Sequence, residues 1–389
     1  MKNITYLFIV SFLIFYSCQR QKENLPSIQL VKGIYDEVSL RSNDMIKDLR
    51  LIKLETNIHC LIGPYINIYP SDSCIIVYSL DRILQFDNSG KFIRVLANKG
   101  YGPGEIWSIA GCIVNDKLNI LYCIENNNPQ KIHIYDLRKG TFTGDIPMGK
   151  KGFLSSIRIV RDSILACFPQ MDMNGEYLVY YQDLTGNFKG GVPYSIRQEK
   201  GPVLRKSPEI MRIEDEFVYL NNRVDTLFKI GVDSKQSLCV LNRDEKNVAK
   251  GEIKLSISSI ENFNICTSEF LILSSSNFKT VNMGNGNLIM KPTENIYLKV
   301  KWPSLTVCEI KEFYFDLLNE SYKDSKMMEV FDRISSLRSN KIVFNYSASE
   351  IIELGKQLQK NGKDTLGLVN LGKSLNENDN PILLIGNIK

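Results

Sequence analysis

The sequence predicts an all-β chain folded as a β-propeller. Three observations carry that expectation. The stretch Asp72–Glu105 reads as a meander, with β-rich runs at Cys74–Tyr78, Ile83–Phe86 and Lys91–Leu96 separated by turn signals at Leu80–Arg82 and Asp87-Asn88-Ser89-Gly90. The second turn recurs. Asp87-x-x-Gly90-x-Phe92 returns as Asp183-x-x-Gly186-x-Phe188, as Asp136-x-x-x-Gly140-x-Phe142 with one extra residue, and in degraded form at Asp233. The steps between these aspartates, 49, 47 and 50 residues, fall in the period of about 40–50 residues expected of propeller blades. A generic β-sandwich with common hairpin turns is the competing class.

Taken in order, Met1–Ser17 is a targeting segment. Lys2 supplies positive charge, and Ile4–Tyr16 is an apolar run too short to span a membrane as a mature helix. Phe15-Tyr16-Ser17-Cys18 reads as a lipobox, although Leu is usual at Phe15 and a small residue at Tyr16. Cleavage before Cys18 and acylation of its thiol are expected, each buried CH₂ adding about 0.8 kcal/mol of anchoring. Ordinary secretion, with Cys18 incidental, is the alternative. Residues 18–27 are a polar, lipidated tether, and 28–389 are a single propeller domain.

Ile28–Val38 and Leu49–Leu54 are candidate strands, and Leu49–Leu54 is expected to complete the last blade and so remove a sheet edge. Asn119–Asp136, Asp162–Asp183 and Glu216–Ile230 supply strands of the second, third and fourth blades. Glu269–Leu273 and Asn287–Val300 supply the fifth. Two later stretches switch to a helical period. Met327, Phe331 and Ile334 share a face within Phe315–Leu337, and Ile351, Leu354 and Leu358 share one within Ser347–Gln359. Ser347 with Glu350 forms a capping box, and Gly362 suits the stop. These are read as short helical insertions near the C-terminus, either packing or acting as a partner-binding or lid element.

The run Ile83–Glu105 and the ending Asn376–Lys389 resemble the six-bladed β-propeller lipoproteins of Bacteroidetes-type bacteria, within the wider NHL/TolB-like propeller group. The resemblance spans most of Leu49–Lys389, is sharpest at those two places and weakens from Val248 to Asn340. It implies six blades and an exported location, and little about mechanism.

Composition narrows the chemistry. The net charge of +5 falls to +4 when Lys2 leaves with the leader, and no dense Lys/Arg block is present. Nucleic-acid binding is therefore not expected. Eight cysteines remain beside Cys18: Cys60, Cys74, Cys112, Cys123, Cys167, Cys239, Cys266 and Cys308. An even number in an exported chain permits disulfides, yet most sit in apolar runs as small hydrophobes would. There is no CxxC pair, so zinc and redox sites are not expected. His59 and His133 are the only histidines and lie in apolar, strand-like surroundings. No HExxH or GxSxG motif accompanies them.

Gly367–Ser374 matches the phosphate-loop pattern GxxxxGK[ST] letter for letter. It is read as coincidence, because Asn380-Pro381 and a β-like ending leave no room for the helix that pattern needs, and no nucleotide is expected. Three triplets, at Asp162, Asp225 and Asp364, resemble Asp-Ser/Thr-apolar glycosylation sites and equally suit ordinary turns.

The most distinctive loop is Gly100–Glu105. It is either a blade-to-blade connection or a ligand-facing loop at the propeller mouth, with Tyr101, Glu105 and Trp107 as the contacts. The expected function is that of a non-catalytic binding or scaffold module in the cell envelope, lipid-anchored, most simply to the outer membrane. Its partner would be an envelope protein, a peptide or a glycan. Gln19–Asn24 lacks the acidic run that can mark surface export, so periplasmic and surface sides both stay open. No cofactor is expected. The alternative is a Ca²⁺-dependent propeller hydrolase or lactonase, with Glu55, Glu105, Asn115, Asp116 and Asn221 among the oxygen donors. A purely structural role in an envelope complex is the third reading.

Overall fold

A computed structural model describes residues 25–389 apart from 64–65, 127–130, 162, 170–175, 194–208, 214–215, 221–225, 233, 244–258, 267–268, 283–287, 317–319, 324–325, 328–329, 331–333, 339–340, 362–363 and 365–366. The leader, Cys18, the tether as far as Asn24, Asn221, Asp225 and the degraded turn at Asp233 lie outside the described residues.

The chain enters through β1 (Ser27–Leu30), β2 (Glu37–Arg41), a one-turn helix α1 (Ser42–Met45) and β3 (Ile46–Lys53). Six antiparallel blades follow. Blade 1 is β4 (Asn67–Pro70), β5 (Ile75–Tyr78), β6 (Arg82–Phe86) and β7 (Phe92–Asn98). Blade 2 is β8 (Ile109–Asn115), β9 (Ile120–Glu125), β10 (Lys131–Asp136) and β11 (Thr141–Pro147). Blade 3 is β12 (Leu154–Val160), β13 (Ile164–Pro169), β14 (Tyr177–Asp183) and β15 (Phe188–Pro193). Blade 4 is β16 (Glu209–Ile213), β17 (Glu216–Leu220), β18 (Thr226–Ile230) and β19 (Lys235–Arg243). Blade 5 is β20 (Ser259–Cys266), β21 (Phe270–Asn282), β22 (Leu288–Lys301) and β23 (Thr306–Phe315), with β24 (Glu320–Lys323) added to β23. Blade 6 has β25 (Ile334–Arg338), β26 (Lys341–Tyr346) and β27 (Ile382–Ile388). The molecule is a six-bladed β-propeller, and the sandwich alternative falls away. First strands of neighbouring blades pack on one another, β25 on β4, β4 on β8, β8 on β12 and β16 on β20, which sets them around the central axis.

The outer strand of blade 6 comes from the other end of the chain. β3 pairs antiparallel with β27, Ile52 opposite Leu383 and Leu51 opposite Leu384, as expected for Leu49–Leu54. The same entering segment does two further things. β1 adds parallel to β19 of blade 4, and β2 adds parallel to β23 of blade 5. Residues 27–53 thus cover three consecutive outer edges.

Apolar residues alternate on both faces of the blades and meet in the gaps between them. Between blades 6 and 1, Val343, Leu383 and Ile385 pack with Ile68, Ile75, Val77 and Phe86. Phe168 and Phe217 cross at 87° between blades 3 and 4.

The recurring turn has a physical cause. Asp87 Oδ1 accepts hydrogen bonds from the amides of Ser89 (2.8 Å) and Lys91 (3.0 Å) and from the Ser89 hydroxyl (2.6 Å). Asp183 Oδ1 does the same with Thr185 N (2.9 Å), Asn187 N (2.9 Å) and the Thr185 hydroxyl (2.6 Å). These bonds hold both carboxyls below the usual carboxylate range: the Ser89 hydroxyl acts most strongly on Asp87, and the Lys189 ammonium followed by the Thr185 hydroxyl on Asp183. Gly90 has φ 90°, and a side chain there would collide with the Lys53 carbonyl at the end of the preceding blade's outer strand. Gly186 (φ 88°) stands likewise 2.5 Å, measured from a built Cβ, from the Pro147 carbonyl. In blades 1 and 3 the turn therefore locks the blade onto its predecessor.

Two expectations need correction. Phe315–Leu337 is not one helix, because β24 occupies its start and β25 its end; only residues 326, 327 and 330 are helical among those described. Met327 and Val330 are nonetheless buried in the core beside blade 6. Sheet pairing with β23 and β26 outweighs the local period there. The second helix is present as α2 (Ala348–Asn361), and its capping box forms: Glu350 Oε2 accepts from Ser347 N (2.8 Å), and Glu350 N donates to Ser347 Oγ (3.3 Å). The phosphate-loop lookalike does contain a helix, α3 (Leu368–Lys373), contrary to expectation. Its Gly372-Lys373-Ser374 closes that helix instead of opening it. The amides of Leu368 and Val369 are taken by Asp364 Oδ1 (2.8 Å) and Oδ2 (2.9 Å). α2 and α3 pack into the blade 6 core through Ile351, Leu358 and Leu368.

Replacing Asp87 with Ala removes three acceptor bonds and is expected to cost about 1 kcal/mol of stability at pH 7. Because the folded pKa lies below the unfolded one, the bonus is complete above the ordinary carboxylate pKa of about 3.9 and fades as pH falls through the folded value. Melting curves of wild type and Asp87→Ala should differ at pH 7, and the difference should shrink as the pH falls below about 3.9.

Candidate binding face

In an antiparallel four-strand blade, the loop that enters the first strand and the loop joining the second to the third share one end. At blades 1 and 2 that end is built from three loops. Residues 54–66 lead from β3 into blade 1, residues 79–81 join β5 to β6, and residues 99–108 lead into blade 2. They are hydrogen-bonded to one another. The Arg82 guanidinium donates to the Leu61 carbonyl, and Ile109 N donates to the Leu80 carbonyl (3.4 Å).

Asn380, on the short chain before β27, fixes the first loop. Fully buried, it donates from Nδ2 to the carbonyls of Glu55 (2.6 Å) and Cys60 (2.8 Å) and accepts from Ile62 N at Oδ1 (2.9 Å). All of that amide's main hydrogen-bonding capacity serves loop shape. The third loop closes on itself. Ile106 N donates to the Asn98 carbonyl (3.0 Å), Glu105 N to Gly102 O (3.0 Å), and Gly102 N to Glu105 Oε2 (2.9 Å). The Glu105 carboxylate is thus committed at one oxygen to its own loop. Tyr101 is 82% exposed and stacks on Trp107, with centroids 4.7 Å apart and planes 13° apart. Lys99 Nζ lies 4.4 Å from the centre of the same indole.

A polar line runs from the Trp107 backbone amide, buried at Glu125 and His133 and open to solvent at its far end. Trp107 N donates to Glu125 Oε1 (2.7 Å). Glu125 Oε2 is 3.5 Å from His133 Nε2, and His133 Nδ1 is 2.9 Å from Asp145 Oδ1. Neither imidazole nitrogen is squarely aligned with its carboxylate, so these are close contacts and not well-formed hydrogen bonds. Lys131 Nζ completes the line at Asp145 Oδ2 (2.9 Å). Tyr135 donates its hydroxyl to Gly104 O (3.2 Å); burial pushes that phenol well up, and the neighbouring thiols of Cys123 and Cys112 add to the rise.

The structure brings Tyr101 and Trp107 together with Lys99, as two of the three predicted contact residues. It also adds Ile58, Leu61 and Leu80, each exposed, on the adjoining loops. Nothing in the sequence marked these three, since exposure of an aliphatic residue in a loop is decided by the folded surroundings. His133 sits in a strand as read, but between two carboxylates. His59 is exposed in a turn, contrary to its apolar strand-like setting in the sequence.

Asn221 lies outside the described residues, and the other calcium donors read from the sequence are engaged separately. Glu55 accepts from Asn57 Nδ2 (2.8 Å) and Phe92 N (2.9 Å), and Asn115 Oδ1 accepts from Leu118 N (3.2 Å). Asp116 Oδ1 accepts from Asp72 N (2.8 Å), and burial raises its pKa against that bond. Asn115 and Asp116 lie at the β8–β9 turn, at the opposite end of the blade from Glu105. Among the described residues no three His, Cys, Asp or Glu side chains stand close enough to hold a metal ion. Cys60, Cys74, Cys112, Cys123, Cys167 and Cys239 are buried, and Cys308 is half-buried.

A sequence profile described as a domain of unknown function, DUF4934, matches residues 25–387. The chain belongs to the DUF4934 family. The DUF4934 chain is similar to the crystal structure of a Bacteroides fragilis protein described as exported, with a TM-score of 0.58, 16% identity, and coverage of 91% of this chain and 99% of that one. That likeness is one of fold. A looser match, to hydrazine synthase of Kuenenia stuttgartiensis (TM-score 0.42, 12% identity, 85% of this chain and 87% of that one), bears on neither fold nor function. No curated protein matches the chain. Among the described residues no helix is long and apolar enough to cross a membrane.

Glu125→Ala strands the part-buried Trp107 amide and is expected to cost about 1–3 kcal/mol. In a Trp302→Phe background Trp107 is the sole indole. Its emission should shift red with Glu125→Ala, and an unchanged spectrum and melting curve would contradict the described line.

Proposed function

We propose that the DUF4934 chain is a non-catalytic binding propeller, anchored to the cell envelope by lipid on Cys18, in the manner of the NHL/TolB-like lipoproteins. The upper loops of blades 1 and 2 dock a protein or peptide partner. One observation carries this reading: five exposed apolar side chains, Ile58, Leu61, Leu80, Tyr101 and Trp107, stand on three hydrogen-bonded loops at one end of adjacent blades. Exposed apolar groups gathered in this way mark interaction surfaces, and aromatic side chains of this kind supply most of the binding energy at protein interfaces. The aliphatic members favour a protein over a glycan, whose hydroxylated ring asks chiefly for aromatic stacking and polar donors.

Loop rigidity supports the same reading. Asn380 and the Glu105–Gly102 closure hold the contacts before any partner arrives, which lowers the ordering cost of association. The leader and lipobox support an envelope location, as does the fold shared with a protein described as exported.

Two measurements test this. A photo-reactive residue placed at Leu80 in cells should form a discrete protein adduct, whereas one at Leu118, exposed at the β8–β9 turn, should not. Adducts equal at both positions, or absent at Leu80, would remove the docking face. Separately, Cys18→Ser should move the chain from the detergent-extractable membrane fraction to the soluble fraction. Retention in the membrane would refute lipid anchoring through Cys18.

A further inference from the structure

The deepest unassigned chemistry lies in blade 2, below the Trp107 loop. Cys112 on β8 and Cys123 on β9 are directly opposed in the antiparallel register. Directly opposed residues of an antiparallel pair have Cα atoms about 4.5–5.5 Å apart, inside the range of about 4.4–6.8 Å that a disulfide spans. Their sulfurs are 3.0 Å apart, closer than two sulfurs rest in ordinary van der Waals contact. Both residues are buried, at 2% and 0% exposure, and burial together with the neighbouring Cys112 thiol pushes the Cys123 thiol well up. As thiols they are inert once the blade has packed.

We infer that Cys112 and Cys123 are joined by a disulfide in the exported protein. This inference rests on the export reading above, because an oxidising compartment is where such bonds persist. The step balances simply. Two S–H bonds break and one S–S bond forms. Two electrons and two protons pass to an envelope dithiol oxidoreductase in its disulfide form, which becomes a dithiol, by way of a mixed disulfide. Burial orders the events: the exchange occurs before blade 2 closes against blades 1 and 3. Once formed, the bond clamps the first two strands of the blade two residues from Glu125, the group that holds the Trp107 amide.

The remaining cysteines have other settings. Cys167, buried beside Tyr180, and Cys239 are each pushed up to about 12 by burial, as isolated core thiols would be. Cys60 is held by the Glu55 carbonyl (3.1 Å).

The test uses the full chain, purified from the envelope fraction of cells expressing it with its own leader. The protein is denatured without reductant, alkylated and digested with trypsin. Cleavage after Lys99, Lys117 and Lys131 puts Cys112 and Cys123 on separate peptides, each with a single cysteine. The expected product is the linked pair Gly100–Lys117 with Leu118–Lys131, which separates only on reduction, and a melting temperature several degrees above that of protein refolded in reductant. Recovery of both peptides alkylated and unlinked, or linked to other cysteines, would overturn the proposal. If fractionation instead finds the chain in the cytoplasm, the export reading fails on its own. The pairing is then decided by refolding the purified chain with oxidised glutathione, where absence of the 112–123 link overturns it.

Discussion

Everything in this fold depends on closing a ring of sheets with a strand from the far end of the chain. β3 hydrogen-bonds to β27, so blade 6 exists only when residues 46–53 and 382–388 meet. The entering segment extends the principle. Before it reaches blade 6 it lays β1 on the edge of blade 4 and β2 on the edge of blade 5. An open edge is a row of unpaired amides and carbonyls ready to recruit another chain. One 27-residue ribbon, residues 27–53, removes three of them.

Closure alone would leave adjacent blades free to slide. The aspartate–glycine turn prevents this for blades 1 and 3. Its carboxylate satisfies the turn's own amides, and its glycine lets the turn approach the carbonyl that ends the previous blade's outer strand. Side-chain bonds across the gaps add to the lock. Gln85 donates to the Leu137 carbonyl (3.0 Å) from blade 1 to blade 2, and Tyr181 donates to the Gly231 carbonyl (2.7 Å) from blade 3 to blade 4. Between them, apolar side chains from both faces fill the gaps. A rigid frame of this kind can hold loops in one arrangement at one end, which is what a preformed binding face requires.

The candidate face shows where local and global causes divide. The 99–108 loop has its geometry from Gly, Pro and Glu within it, and was distinctive in sequence. Tyr101 and Trp107 could be singled out because large aromatics beside such a loop have few structural uses there. Leu80, Leu61 and Ile58 could not, because they belong to two other loops and each is unremarkable by itself. His133 and Asp145 face each other across β10 and β11 only through the register of those strands.

By itself the sequence determined the repeating unit. Strand-forming runs, an aspartate–glycine turn and a period near 49 residues are local properties, each set by short-range sterics and hydrogen bonding. It also determined α2 through its capping box, and the strand fit to close the ring. Tertiary structure decided the rest. Residues 320–323 and 334–338 became strands against their helical period, because the edges of β23 and β26 offered partners that an isolated helix lacks. Gly372-Lys373-Ser374 ended a helix, because Asp364 had already capped its start. The pairing of Cys112 with Cys123 and the gathering of five apolar side chains on one rim likewise arose from register and ring geometry. These bring together residues whose separation along the chain carries no signal of their meeting.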